Sequence, residues 1–153
     1  MSAIRRLASI AAAALIAGTA SAGTVAPGDV AFTDGAVARS LTGVAGDPAA
    51  GAKWLSGRKL GNCLACHENP AMPNEPFQGQ TGPSLEGVAD RYGEAHLRGM
   101  VINSKMTFEA TMMPAFYRVA GLNRPAKAFA GASILDAQQV EDVVAYLLTL
   151  KED

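Results

Sequence analysis

The sequence predicts an all-α domain of short helices joined by long loops, and three observations lead there. The strongest amphipathic stripe, Val140, Val143, Val144, Leu147 and Leu148, has helical spacing. Few residues suggest paired strands, and no internal repeat is visible. The stretches between helical segments are punctuated by Pro70, Pro73, Pro76, Pro114, Gly121, Pro125 and Gly131. At 153 residues the chain suits one domain better than two. With 49% hydrophobic and 18% charged residues it can bury a core, which argues against wholesale disorder. Short helices alone would make that core thin, and a large apolar body at its centre would complete it.

The elements follow in order. Residues 1–22 open with Arg5 and Arg6, continue through an apolar run over 7–17 and end in Ala20-Ser21-Ala22, the pattern of a secretory signal peptide cleaved before Gly23. The apolar run is shorter than the roughly 20 residues a membrane-spanning helix needs. Export to the periplasm is therefore expected, with no membrane attachment after cleavage. Losing Arg5 and Arg6 lowers the basic count from 13 to 11 against 14 acidic residues, a net charge near −3. That balance argues against nucleic acid and anionic lipid as partners.

Residues 23–47 lack a sustained period and read as an irregular N-terminal extension lying across the domain or a partner. The domain proper is expected over 48–153. Its first helix starts at Asp47-Pro48, a capping residue followed by proline at the first helical position. This helix carries Gly51, Trp54 and Leu55 and is expected to end near Gly61. Short helices are expected over 85–92 and 94–103, the second with Leu97, Met100 and Val101 on one side. Residues 104–135 read mostly as loop. Asp136 caps the last helix, with Gln139 as its reciprocal partner.

Cys63-Leu64-Ala65-Cys66-His67 carries the chemistry. Two thiols about one turn apart can each add to a vinyl group on one edge of a porphyrin, and the next histidine then presents its imidazole to the iron. One covalently bound haem c per chain is the expected cofactor. A redox dithiol usually sits in a β-α-β setting, which is missing here. Zinc would need more Cys or His ligands, and the chain has two cysteines and, besides His67, only His96. A structural disulfide would leave the histidine unexplained. His96 itself reads as a surface or helix residue.

The second axial position decides between electron carrier and haem enzyme. Met113, followed by the stiffening Pro114, is the leading candidate; a methionine thioether is soft and neutral and raises the reduction potential. Met112 is its rival, one residue off. Met72 is too close to His67 to reach over the ring easily, Met100 reads as helix core and Met106 as loop packing. Pro83 is expected to offer a carbonyl to the other imidazole nitrogen of His67, fixing the orientation of the ring. Trp54, Tyr92, Phe116, Tyr117 and Tyr146 read as core or haem-edge residues.

Over residues 48–153 these features resemble class I cytochromes c, with one departure. An apolar helix residue usually precedes the first haem cysteine by about one turn, whereas here Gly51 and Leu55 stand farther upstream. Four blocks resemble the SoxX family more closely: Gly61 with Asn62 and the haem pentapeptide, the run from Gly82-Pro83-Ser84 to Arg91-Tyr92, Met113-Pro114-Ala115-Phe116-Tyr117-Arg118 with Gly121-Leu122, and Glu141-Asp142-Val143-Val144-Ala145-Tyr146-Leu147. SoxX proteins are the monohaem subunits of SoxAX complexes in bacterial sulfur oxidation. The resemblance implies a heterodimer with SoxA, which carries the sulfur chemistry. It also implies one-electron transfer while thiosulfate is joined to a cysteine of the SoxYZ carrier, and passage of those electrons to a small acceptor cytochrome c. No catalytic residue is then expected on this chain, which would be an enzyme only as the electron-transfer subunit of that L-cysteine S-thiosulfotransferase. A free-standing periplasmic shuttle uses the same haem chemistry, and a haem enzyme or sensor would keep its axial position open.

Overall fold

The computed structural model describes residues 23–152, so the expected leader over 1–22 lies outside the described residues. Four α-helices carry the fold: α1 (Pro48–Ser56), α2 (Val88–Arg91), α3 (Glu94–Asn103) and α4 (Ala137–Leu147). Short 3-10 turns and loops join them, and no strand is present among the described residues beyond an isolated bridge between Thr33 and Ala36. None of the described helices is long and apolar enough to cross a membrane.

Both expected caps form. The Asp47 side chain accepts from the Ala49 N–H at 2.8 Å, with Pro48 opening α1. At α4 the Asp136 carboxylate accepts from the Gln139 N–H at 2.8 Å, while the Gln139 side-chain oxygen accepts from the Asp136 N–H at 2.9 Å. The α4 stripe buries Val140, Val143, Val144 and Leu147 among Leu41, Leu55, Leu97, Ile102 and Leu135. Helices α1 and α4 form the most extensive helix contact, and they touch through glycine: a Cβ on Gly51 would overlap the Asp142 carbonyl.

Two expected boundaries move. Helix α1 ends at Ser56 rather than near Gly61, because the Gly57 N–H closes on the Lys53 carbonyl at 2.9 Å and the backbone then turns extended. The chain doubles back, with Gly61 pressed against the Trp54 carbonyl and Asn62 in the left-handed region at φ 48°. The stretch expected over 85–92 narrows to Val88–Arg91, since Gly87 takes φ +60° and helical geometry begins only after it. Met106, expected to pack in its loop, is instead half exposed at 50%.

Residues 23–47 lie across α3 and α4. Val37 and Leu41 are buried, the Val37 N–H donates to the Ala95 carbonyl at 2.8 Å, and the Tyr117 hydroxyl donates to the Val25 carbonyl at 2.7 Å. Helix α4 receives this segment with two carboxylates: Glu141 accepts from the Leu41 N–H at 2.7 Å and Asp142 from the Asp47 N–H at 2.9 Å. Arg98 of α3, 2% exposed, completes the joint. Its Nε meets both Glu141 oxygens at 3.0 and 3.1 Å, its Nη1 donates to the Val37 carbonyl at 2.9 Å, and Nη2 also reaches Glu94.

Candidate haem site

The pentapeptide follows directly on the left-handed turn at Asn62. Cys63–Ala65 form one 3-10 turn, with the Cys66 and His67 N–H groups both closing on the Cys63 carbonyl at 3.1 and 2.9 Å. Leu64 between the cysteines is buried and anchors the turn to the core. The two thiols are thereby held one turn apart, and neither is in a disulfide. Burial pushes the Cys63 thiol up to about 12, with the neighbouring Cys66 adding to the effect.

Residues 79–85 run back along this segment. The Gly79 N–H donates to the Leu64 carbonyl, Gly82 to Cys66 and Leu85 to Glu68, at 2.8, 2.8 and 2.9 Å. This pairing brings the Pro83 carbonyl within 2.7 Å of His67 Nδ1. A carbonyl only accepts, so Nδ1 carries the proton and the lone pair is left on Nε2, the nitrogen a metal would use. Gly82 lies flat against the same ring: a Cβ there would stand 2.7 Å from Nδ1 and 2.8 Å from Nε2. No other residue leaves room for that imidazole.

The intervening proline-rich loop is fastened by residues the sequence did not single out. Gln78 accepts from the Asn69 N–H at 2.6 Å and donates to the Met72 carbonyl at 2.7 Å, and fully buried Asn69 donates to the Tyr146 hydroxyl at 2.9 Å. Only the amide side chains themselves hinted at this, and bonds aimed at backbone leave no sequence period. Trp54 is half-buried and donates from Nε1 to Asp142 at 3.2 Å.

The two methionine candidates differ sharply in environment. Met112 is 76% exposed, whereas Met113 is partly buried and packs against the core. Met72 and Met100 are also partly buried core neighbours, and His96 is exposed on α3. The donor set available is therefore two thiols one turn apart, an oriented imidazole and a core-packed thioether. The two thiols and the oriented imidazole fit a covalently bound haem, offering attachment points and one nitrogen ligand of fixed tautomer.

Comparison with known proteins agrees. Residues 49–151 match the cytochrome c family model. A chain in the crystal structure of SoxXA from P. pantotrophus is similar at 51% identity and a TM-score of 0.81, over 84% of this chain and 99% of that one. No curated protein sequence matches. The chain therefore belongs to the cytochrome c family, as a SoxX-type member with a covalently bound haem c.

Proposed function

We propose that this chain is the electron-transfer subunit of a periplasmic SoxAX heterodimer. It would accept electrons one at a time while thiosulfate is coupled to a cysteine of SoxYZ, and pass them to a small acceptor cytochrome c. The observation that carries this reading is the 51% identity extending over 99% of a chain from a SoxXA structure.

When bound, haem supplies one-electron chemistry at its iron. The protein's part is attachment and ligation. Cys63 and Cys66 would supply the thioether attachments, His67 would bind the iron through Nε2, and Met113 would supply the sulfur ligand. Pro83 keeps the Nδ1 proton in place, so the imidazole cannot rotate or change tautomer. Burial and the core contacts of Met113 favour it over exposed Met112. With both thiols consumed, the chain has no cysteine left for sulfur transfer, so that chemistry falls to SoxA. Cleavage of the 1–22 leader delivers the mature chain to the periplasm.

The test is co-expression with the SoxA subunit, then assay of haem reduction by thiosulfate and SoxYZ with and without it. Reduction that requires SoxA is expected. Full-rate reduction of the isolated chain refutes the division of labour, and a chain that never co-purifies with SoxA is a free-standing carrier instead. For the ligand, a methionine-to-iron charge-transfer band in the oxidised protein should vanish in Met113→Ala and persist in Met112→Ala.

A further inference from the structure

We propose that Ser104 and Lys105 are positioning residues for the axial thioether, together clamping the Met113 carbonyl at the neck of a closed loop. The inference rests on Met113 being the iron ligand proposed above. Helix α3 ends at Asn103, and the chain turns at once. The Ser104 carbonyl accepts from the Thr107 and Phe108 N–H groups at 3.0 and 2.8 Å, and the Phe108 carbonyl accepts from Thr111 at 3.1 Å. The loop then returns to its own start. Ser104 Oγ donates to the Met113 carbonyl at 3.3 Å and Lys105 Nζ donates to the same oxygen at 2.9 Å, while the Met113 N–H donates to Thr111 Oγ1 at 3.2 Å.

Both backbone polar groups of Met113 are therefore held by side chains, and the next residue, Pro114, has no N–H to offer. The next anchor comes three residues on, where the Phe116 and Tyr117 N–H groups meet the Val101 and Ile102 carbonyls at the end of α3. Within the loop, Met106, Phe108 and Met112 are 50%, 45% and 76% exposed, so apart from Met113 itself apolar burial does little to fix it. The hydrogen-bonded neck does that. Ser104 is 1% exposed, so water cannot readily compete for its hydroxyl, and Lys105 adds a charged donor from the surface. A thioether is a neutral ligand whose residence on the metal depends on how tightly its backbone is held. Removing the clamp should therefore speed its release more than it unsettles the fold.

Carbon monoxide competes with the thioether for ferrous iron and so reads that release directly. In the haem-loaded protein, the Ser104→Ala/Lys105→Met double variant should bind carbon monoxide about tenfold faster, in line with the loss of one charge-assisted bond. Ser104→Thr/Lys105→Arg, which keeps both donors, should behave like the parent. The urea midpoint of each variant shows whether the fold as a whole is intact. If the double variant does not accumulate haem, the two single variants are read in the same way. Carbon monoxide rates within about twofold of the parent in every clamp variant overturn the proposal, since that is the scale of ordinary non-interacting changes. A parent lacking the methionine charge-transfer band, or a Met113→Ala variant that retains it, instead overturns the ligand assignment. The band present in the parent, lost in Met113→Ala, together with unchanged clamp variants, sinks the clamp alone.

Discussion

Replacing Arg98 by methionine should be among the most damaging changes away from the haem. The guanidinium is 2% exposed and binds Glu141 through Nε and Nη2, all at 3.0–3.1 Å, while Nη1 satisfies the Val37 carbonyl. Methionine fills much of the same volume but leaves the Glu141 carboxylate, 4% exposed, without a counter-charge. Breaking one side of a buried pair costs about 3–5 kcal/mol, a large share of the roughly 5–15 kcal/mol that holds a domain together. Arg98→Met with Glu141→Gln should recover most of this. The stranded charge is gone, and the amide oxygen can still accept from the Leu41 N–H, now at 2.7 Å from Oε1. The residual cost should be about 1–2 kcal/mol for the lost bonds to Val37 and Glu94. Urea unfolding of the haem-loaded protein, followed by far-UV circular dichroism, measures both variants on one scale. A single variant within about 1 kcal/mol of the parent, or a double variant no better than the single, would show that the uncompensated charge is not the cause.

Gly82→Ala should lower the yield of haem-loaded protein roughly tenfold, as loss of an outer partner of a metal-bound histidine commonly does. Its Cβ would meet the His67 ring, and haem staining of periplasmic extracts against total protein reads the ratio. Tyr117→Phe should cost about 1 kcal/mol at pH 7 through the lost bond to Val25. Burial first, and the Asp136 charge second, raise the Tyr117 hydroxyl above its ordinary range. Its contribution is therefore complete below about pH 10, the unfolded value, and lost as pH climbs through the folded one. The gap between Tyr117→Phe and the parent should close in alkaline urea titrations, and a gap that widens contradicts the assignment. Asp136→Ala removes the capping box of α4 and should destabilise by about 1 kcal/mol in the same assay.

Local chemistry was legible in the sequence, and long-range pairing was not. Asp47-Pro48 and Asp136 with Gln139 announced two helix starts because a cap involves residues two or three apart. The haem pentapeptide was legible for the same reason, and Gly82-Pro83 sits where the sequence placed a carbonyl for His67. The end of α1 was misjudged because Gly57 and Gly61 are equally plausible stops, and only packing against Trp54 selects between them. Arg98 and Glu141 stand 43 residues apart on different helices, and no local pattern pairs them. Nothing local distinguishes a carboxylate that will be buried. Ser104 and Lys105 escaped notice because their target is a backbone carbonyl, which every residue has.

The doubled-back turn between α1 and Cys63 has a consequence for how the molecule can change. Here Asn62 reverses the chain and Arg58 reaches out of the turn to lie 5.5 Å over the Phe77 ring. Six residues, 57–62, thus separate α1 from the attachment segment. Substitutions at exposed Arg58 and Lys59 can reshape the outer side of that turn while the helix pair beneath stays seated.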